Sequence, residues 1–379
     1  MIYFDQSATS FPKPKGMIEE MENCMRYYNG NPGRSGHAMS LKMGEKIYAA
    51  RKSISSLLGI GDPSRLIFTK NTTESLNLAI QGFLQPGDHV VTTSMEHNSV
   101  LRPLKALESV GVSHTIVKAD AAGRVAVSAV ESSICDTTKL IVMTAASNVT
   151  GTLMPIADVC RMASLRGIST LVDGAQWVGS LPLNVDKTGI SMLAFPGHKG
   201  LLGPSGTGGL YVSPEIDLLP MLYGGTGTAS KELVQPSDYP EGYEAGSLNG
   251  PGIIGLGYSA NVLSRIGIET IAYYERQLIT DLEEALRNMD FVTVYGPAAE
   301  EKTGISLFNV KGFSAEEVTE RLSREFHIAV RGGFHCAGLA HKTIGTWNEG
   351  AIRLSVGPFN TRKEVRKTVD SLYRIGKSC

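Results

Sequence analysis

The 379-residue sequence has neither an excess of one charge nor a long apolar run. Its 36 basic and 37 acidic residues nearly cancel, to a net charge of −1, so nothing indicates binding to nucleic acid or to an anionic membrane surface. No stretch reaches the roughly 18 apolar residues of a membrane span, and the opening MIYFDQSATS lacks the basic and apolar segments of a secretory signal. We therefore expect a cytoplasmic protein that binds a small molecule, with no nucleic acid and no membrane as partners.

Cysteine is also scarce. The five cysteines, Cys24, Cys135, Cys160, Cys336 and Cys379, are widely scattered and include no C-x-x-C pair. Such a pattern predicts free thiols rather than a zinc site or a dithiol, so we expect no metal. Cys160 lies in the apolar-periodic stretch IADVCRMASLRG, which favours a buried position in a helix.

Repeats and low-complexity tracts are absent as well, and apolar strand-like runs alternate with helical patterns instead. Examples are SRLIFTK before TTESLNLAIQGFL and DHVVTTSM before SVLRPLKALESVG. This alternation is typical of βαβ units, so we predict an α/β fold whose mostly parallel sheet has helices on both faces. A long helical stretch then leads into shorter strands, which predicts a large domain over 15–255 and a smaller one over 256–379 together with 1–14.

Polar residues follow five of the predicted strands. In an open α/β sheet, ligands bind beyond the carboxyl ends of the strands. Each residue alone has an ordinary interpretation, such as a helix cap for the threonines and the aspartate or a structural role for the histidine. That all of them lie at one sheet edge by chance is much less expected than any single one of them alone. We therefore predict that one site contains Thr72, Thr73, His97, Asn148, Asp173 and Lys199.

The stretch AFPGHKGLLGPSGTGGLYV places Lys199 in a glycine-rich loop after a strand, directly behind His198. A lysine with a lowered pKa is a nucleophile toward carbonyls and anchors Schiff bases. An aspartate can pair with a protonated pyridine nitrogen, an imidazole can lie against an aromatic ring, and a hydroxyl-rich helix N-terminus can hold a phosphate. These are the requirements of pyridoxal 5′-phosphate, so we predict that this cofactor is bound at Lys199.

Ordered motifs then run over nearly the whole chain: DQSATS, TTESLNLA, MEHNSV, SNVTG, VDGAQ, GHKGLLGPSGTGGLYV, EAGSLNGPGIIGLG and VRGGFHCA. In this order they resemble the class V aminotransferases of fold type I, and within them the cysteine desulfurase and selenocysteine lyase branch. The resemblance implies a large domain with a mostly parallel seven-stranded sheet, a smaller C-terminal α+β domain and a homodimer.

The resemblance also implies a role for each candidate residue. His97 stacks on the pyridine ring, Asp173 pairs with the ring nitrogen, and Lys199 carries the cofactor as a Schiff base. Gln176 contacts the ring oxygen, and Asn148 contacts the cofactor and the substrate. The implied phosphate ligands are Thr72, Thr73 and His198, with Ser247 supplied by the neighbouring subunit.

The chain departs from the family pattern at two positions. Pro196 stands two residues before His198, where the family usually has a serine or threonine, and it offers neither a hydroxyl nor an N–H group to the phosphate. Gly33 stands before Arg34, where relatives often have a histidine. Arg34 is a candidate for substrate binding.

Cys336 distinguishes between the reactions of this family. It lies in the glycine-rich stretch VRGGFHCAGL, next to His335 and close behind Arg331. Either Arg331 or a protonated His335 is expected to favour the reactive thiolate. In the desulfurases that the chain resembles, a cysteine in this motif attacks the sulfur of the bound substrate and leaves alanine and an enzyme persulfide. The short link from Arg331 to Cys336 resembles the group II branch of those enzymes.

Arg353, in GAIRLSVG, matches the arginine that binds the substrate carboxylate in the family, with a structural salt bridge as the competing interpretation. Arg331 is a second candidate for substrate binding. The resemblance thus implies L-cysteine or L-selenocysteine as substrate and a sulfur-acceptor protein as partner. Two alternatives stay open: a class V aminotransferase or β-lyase in which Cys336 is incidental, and a non-catalytic phosphate-binding or structural relative.

Overall fold

Strands and helices alternate through the first half of the chain, as the sequence pattern predicts. The computed structural model describes residues 1–33, 36–228 and 231–378. Its strands, in chain order, are β1 (Ile2–Tyr3), β2 (Leu66–Thr69), β3 (His89–Thr93), β4 (Ser113–Val117), β5 (Thr138–Thr144), β6 (Ser169–Asp173), β7 (Met192–Pro196), β8 (Gly208–Val212), β9 (Val292–Tyr295), β10 (Ile305–Val310), β11 (Ile328–Ala329), β12 (Arg331–Gly333) and β13 (Ala351–Ser355). Its helices are α1 (Met17–Tyr27), α2 (Ala38–Leu58), α3 (Thr72–Phe83), α4 (Asn98–Leu107), α5 (Val127–Glu131), α6 (Ile156–Ser164), α7 (Val185–Thr188), α8 (Gly250–Ile266), α9 (Ile268–Arg287), α10 (Ala315–Phe326), α11 (Gly338–Thr343) and α12 (Arg362–Gly376). Within these described ranges, no helix has the length and apolar character needed to cross a membrane.

Seven strands form the central sheet, in the order β2-β8-β7-β6-β5-β3-β4. Neighbouring strands from β7 to β4 are parallel, whereas β8 is antiparallel to both β7 and β2. β2 therefore runs in the same direction as β3, β5, β6 and β7, and the carboxyl ends of these strands lie at one edge. The prediction of a mostly parallel seven-stranded sheet is confirmed.

Both faces of this sheet are covered, because successive side chains of a strand point to opposite faces. In β5, Leu140 and Val142 pack in one apolar core, and Ile141 and Met143 pack in another. The first core includes residues of α3 and α4, and the second includes residues of α2, α6 and α8. Burial on both faces explains why the strands read as near-continuous apolar runs. Cys160 of α6 is buried in the second core, as its periodicity predicts.

A smaller antiparallel sheet follows, in the order β12-β13-β10-β9. With α9, α10 and α12 it encloses a third core, which includes Phe308, Leu322, Leu354 and Leu372. β1 pairs in parallel with β11, so the first residues of the chain pack with its C-terminal elements. The domain boundaries drawn from the sequence stay predictions.

Candidate active site

A cavity of about 230 Å³ lies at the carboxyl edge of the central sheet. Gln176, which follows β6, and Arg331 and Arg353 of the small sheet line part of it. The rest of its polar lining includes the strand-end residues singled out from the sequence, namely Thr72, Thr73, His97, Asn148, Asp173, His198 and Lys199. Polar residues that are far apart in the sequence therefore share one cavity.

Lys199 reaches this cavity from the loop after β7. The glycines around it are required by packing, since a Cβ at Gly200 would lie 2.5 Å from the Val178 carbonyl oxygen. Burial lowers the pKa of Lys199 to about 8; the charge of Arg353 adds to the shift and the Asp173 carboxyl opposes it. A fraction of the amine is therefore uncharged at neutral pH, and this is the form that attacks carbonyls.

Asp173 is the last residue of β6 and is 2% exposed. Its Oδ1 accepts a hydrogen bond from the Ala175 N–H at 2.9 Å. Burial raises the pKa of this carboxyl, and the Lys199 charge opposes the rise. The site therefore favours a cationic ligand group beside Asp173, because such a group keeps the carboxylate ionised.

His97 caps the N-terminus of α4. Its Nδ1 accepts the backbone N–H of Ser99 at 3.1 Å. Burial lowers the pKa of His97 to about 4, and the charges of Lys199 and Arg331 add to this shift. The ring is therefore neutral at physiological pH and carries its proton on Nε2.

The N-terminus of α3 forms one end of the cavity. Thr72 and Thr73 open this helix, whose first N–H groups have no acceptor within the helix, and Asn71 caps it through its side chain. In the same cavity, Nδ1 of His198 is buried and has no hydrogen-bond partner among the described residues. Pro196 lines the cavity as well but supplies no donor. The remaining groups form a cradle suited to an anion.

Arg353 of β13 is 1% exposed and lies against the first residues of the chain. Its Nη1 donates to the Asn148 carbonyl oxygen at 2.9 Å, and its Nη2 pairs with Asp5 Oδ1 at 3.0 Å. The Nε–H group is buried without a partner in the described part of the chain. The guanidinium is thus fixed in place, and its Nε–H is left for a ligand oxygen.

Cys336 is exposed on the loop after β12. Nη2 of Arg331 lies 3.8 Å from its Sγ. The carbonyl oxygen of His335 accepts from Asn148 Nδ2 at 2.7 Å, and that of Cys336 accepts the Asn98 N–H at 2.9 Å. These bonds tie the cysteine loop to residues that follow β5 and β3, beside the cavity.

The expectation that a protonated His335 favours the thiolate is wrong. Burial and the positive charge of Arg353 hold the pKa of this imidazole far below its usual range, so the ring is neutral. Its Nε2 lies 3.2 Å from the Arg331 carbonyl oxygen. The cation that contacts the sulfur of Cys336 is Arg331.

One candidate from the sequence, Ser247, does not line this cavity. Ser247 is exposed elsewhere on the surface, where Asn31 Nδ2 lies 3.5 Å from its Oγ. Arg34 lies outside the described residues.

The model of the family "Aminotransferase class-V" matches residues 2–368 of the chain. The chain belongs to the class V aminotransferase family. Members of this family depend on pyridoxal 5′-phosphate, and the seven-stranded sheet matches that of the fold type I enzymes with this cofactor.

This class V family member is similar to cysteine desulfurases over its full length. It is 34% identical over 381 residues to a probable cysteine desulfurase of Methanothermobacter thermautotrophicus, covering 99% of this chain and 94% of that protein. It is 33% identical over 389 residues to a cysteine desulfurase of Yersinia pestis, covering 100% and 94% respectively. Among solved structures, the apo cysteine desulfurase of Thermococcus onnurineus matches with a TM-score of 0.94 at 32% identity, over 100% of this chain and 95% of that one.

The cavity fits the cofactor of the class V family. The N-terminus of α3, with its free first N–H groups and the hydroxyls of Thr72 and Thr73, suits a phosphate. The buried carboxyl of Asp173 suits a protonated pyridine nitrogen, and the pKa of Lys199, near 8, suits an amine that bonds to a carbonyl carbon.

Three residues that support the site were not singled out from the sequence. Asp5 pairs with Arg353, and the Ser7 carbonyl accepts from Gln176 Nε2 at 3.1 Å. Glu96 is fully buried, and burial raises its pKa to about 8, so it is largely neutral at physiological pH. These three residues lie in the motifs DQSATS and MEHNSV, but no local sequence pattern connects Asp5 with Arg353, which is 348 positions away.

Proposed function

We propose that the chain is a pyridoxal phosphate-dependent cysteine desulfurase that converts L-cysteine to L-alanine and leaves the sulfur on Cys336 as a persulfide. The C–S bond of the substrate breaks, an S–S bond forms between that sulfur and Sγ of Cys336, and hydrogen replaces sulfur on Cβ of the departing alanine. The observation that carries the proposal is a thiol on a separate loop, beside Arg331 and next to the cavity of Lys199. The desulfurase relatives support the same reaction.

Four residues prepare the reacting end of the cavity. When bound, the cofactor supplies an electron sink conjugated to the substrate Cα. Lys199 holds the cofactor, and its Nζ moves the proton of Cα, since a pKa near 8 makes it a base close to neutral pH. Asp173 would keep a proton on the ring nitrogen, His97 would lie against the ring face, and Gln176 would donate to the ring oxygen.

The substrate carboxylate binds Arg353 in this proposal. The free Nε–H and the planar fork of the guanidinium suit a carboxylate, and Asp5 holds the fork through Nη2. Asn148 and Arg331 line the same cavity and contact the substrate next to it. Arg34 is retained as a candidate on the sequence alone.

We also propose a homodimer in which the phosphate is bound by Thr72, Thr73 and His198 of one subunit and by the partner subunit's Ser247. Two observations support a contribution from the partner. Ser247 is exposed and does not line the cavity of its own subunit, and Pro196 supplies no donor to that cavity.

The wider setting follows from the same reaction. Turnover requires removal of the persulfide from the exposed Cys336, and a sulfur-acceptor protein, a partner typical of this family, would remove it. We assign the reaction to the cytoplasm, where free thiols persist. We also retain the division into a large domain over 15–255 and a small one over 256–379 with 1–14, which the separate third core supports.

The test is the fate of sulfur in wild type and in Cys336→Ala. After incubation with L-cysteine, the wild type should release alanine and carry one added sulfur atom on the Cys336 peptide in mass spectrometry. Cys336→Ala should keep the cofactor absorbance and lose alanine formation on the order of 100-fold or more, because the nucleophile is gone. Cys135→Ala removes another exposed thiol and should behave as wild type. Sulfide release by Cys336→Ala at the wild-type rate would indicate a β-lyase instead.

A further inference from the structure

Three polar side chains form a hydrogen-bonded row directly behind Cys336. Nδ1 of His335 lies 3.1 Å from Nε2 of His341, and Nδ1 of His341 lies 2.7 Å from Oγ1 of Thr346. The two imidazole planes are nearly parallel, with an interplanar angle of 18° and ring centroids 5.3 Å apart. His335, His341 and Thr346 are all 3% exposed or less, so water does not compete for these bonds.

A backbone carbonyl sets the direction of the row. Nε2 of His335 lies 3.2 Å from the Arg331 carbonyl oxygen, which can only accept, so this nitrogen carries a proton. In a neutral His335 ring Nδ1 is then bare, and it accepts the Nε2–H of His341. Nδ1 of His341 is bare in turn and accepts the hydroxyl proton of Thr346.

A charged row is disfavoured by its surroundings. Burial lowers the pKa of His341 to about 4. Burial also lowers the pKa of His335, and the positive charges of Arg353 and Arg331 push it further in the same direction. Both rings are therefore neutral at physiological pH, and the hydrogen bonds run one way, from Thr346 to the Arg331 carbonyl oxygen.

The row cross-links the two ends of the loop that carries Cys336, the proposed nucleophile. It bridges Arg331, at the start of this loop, and His335, next to Cys336. His335 and Cys336 have φ angles of 52° and 57°, a left-handed conformation that is unfavourable for residues with a Cβ. Such a backbone persists only where the surrounding structure determines it strongly. The hydrogen bonds from Asn148 and Asn98 hold the two carbonyl groups, and the row holds the imidazole.

We propose that His341 and Thr346 are positioning residues for Cys336: the one-way row from Thr346 through His341 and His335 holds the thiol beside the Arg331 guanidinium. The consequence for sulfur transfer rests on the proposed desulfurase function. The order of the protons along the row and the position of the thiol are independent of that function.

The decisive pair of variants is Thr346→Val and Thr346→Ser. Valine has nearly the shape of threonine but no hydroxyl, so Nδ1 of His341 loses its donor. If His341 then moves its proton to Nδ1, two bare nitrogens face each other across the gap to His335, and the row fails. Serine restores the hydroxyl. Thr343→Val is the matched control, because the Thr343 hydroxyl donates to the Leu339 carbonyl oxygen of α11 and not to the row.

Two measurements on the holoenzyme test the row without reference to desulfuration. In ¹H–¹⁵N spectra of histidine-labelled protein, His335 and His341 should both show a protonated Nε2 and a bare Nδ1 that do not titrate between about pH 5.5 and 8. Alkylation of Cys336 by iodoacetamide, measured by mass spectrometry against Cys135 in the same molecule, should be about tenfold slower in Thr346→Val and near wild type in Thr346→Ser and Thr343→Val. A protonated Nδ1 on His335, or equal alkylation in all variants, would overturn the proposal.

Persulfide formation from L-cysteine then links the row to function. Thr346→Val should slow it about tenfold at unchanged cofactor absorbance, and Thr346→Ser should restore it. If the wild type forms no persulfide, the desulfurase function fails while the spectra and the alkylation rates still test the row. If Thr346→Val forms the persulfide slowly but keeps wild-type alkylation and wild-type imidazole signals, the proposal is overturned, and Thr346 acts only on general stability.

Discussion

At the scale of single residues, burial pushes the pKa values of the two groups that face the cofactor site in opposite directions. It lowers the pKa of Lys199 and raises that of Asp173. Each group is therefore moved toward its neutral form. The amine gains reactivity from this shift, whereas the carboxylate depends on a cationic partner to stay ionised.

The rate at which the apo-protein bonds pyridoxal phosphate should follow the lowered pKa of Lys199, which is about 8. Only the uncharged amine attacks, so the rate should rise about tenfold per pH unit below 8 and level off above about pH 9. An unperturbed lysine would give a rate that still rises at pH 10. The measurement is stopped-flow absorbance, followed by borohydride reduction and mass spectrometry. Cofactor fixed to a peptide without Lys199 would contradict the assignment.

Asp173→Asn removes the negative charge but keeps the shape of the side chain. We expect weaker cofactor binding and turnover lower by roughly 100-fold or more, equivalent to ~3 kcal/mol for an unpaired buried charge. Glu96→Gln is the matched control, because burial already keeps this second carboxyl largely neutral and glutamine imitates that form. Steady-state alanine formation checks both variants. Equal losses in the two would show that Asp173 is a structural acid only.

At the scale of elements, the N-terminus of α3 both stabilises the fold and faces the cavity. Asn71 caps it by accepting the Glu74 N–H at 3.0 Å. α12 has a comparable cap at Thr361, with a reciprocal bond to Glu364, but it lies in the C-terminal elements and does not line the cavity.

Asn71→Ala and Thr361→Ala separate these two roles. Each should lower the free energy of unfolding by about 1 kcal/mol, the usual cost of losing an N-cap. Only Asn71→Ala should also raise the Kd for pyridoxal phosphate, because the orientation of the first N–H groups of α3 changes there. Denaturant unfolding of the apo-protein and titration with the cofactor are the measurements. The same Kd for both variants would show that α3 does not bind the phosphate.

At the scale of the whole molecule, a buried ion pair anchors the segment that leads to Ser247. Arg51 and Glu244 form two bonds, of 2.8 and 2.9 Å, and Glu244 also accepts the Phe68 N–H at 2.6 Å. Both side chains are 6% exposed. The pair therefore holds the start of this surface segment in a defined position, which the proposed contribution to a partner's site requires.

Hybrid dimers test that contribution. Lys199→Ala and Ser247→Asp should each be nearly inactive alone, the second because its carboxylate repels the phosphate. Co-expressed, they form hybrids in which Lys199 of the Ser247→Asp chain meets an intact Ser247 from the partner subunit. Purified hybrids with two different tags should regain about half of wild-type turnover, since one of the two sites is complete. An active monomer in sedimentation, or hybrids without activity, would contradict the shared site.

Much of the fold and of the cavity follows from local patterns. The alternation of apolar runs and helices predicts the parallel sheet, and the residues placed after β2, β3, β5, β6 and β7 must meet because parallel strands end at one edge. The glycines around Lys199 predict a close approach of the backbone, and Gly200 does pack against the Val178 carbonyl oxygen. These features depend on the spacing of apolar residues and on the residue types at turns, and both can be recognised within a few residues of sequence.

Other features depend on contacts that only folding creates. Asp5 meets Arg353 because β1 pairs with β11 in space. His335 lies beside Cys336 in the sequence, where a charged ring is one of two expected sources of thiolate stabilisation. Burial and the charge of Arg353 keep the ring neutral instead, with its one ring proton directed to the Arg331 carbonyl oxygen. Local sequence patterns thus specify which chemical groups reach the sheet edge. The protonation and the partners of these groups depend on the fold, because desolvation and charge come from neighbours that are distant along the chain.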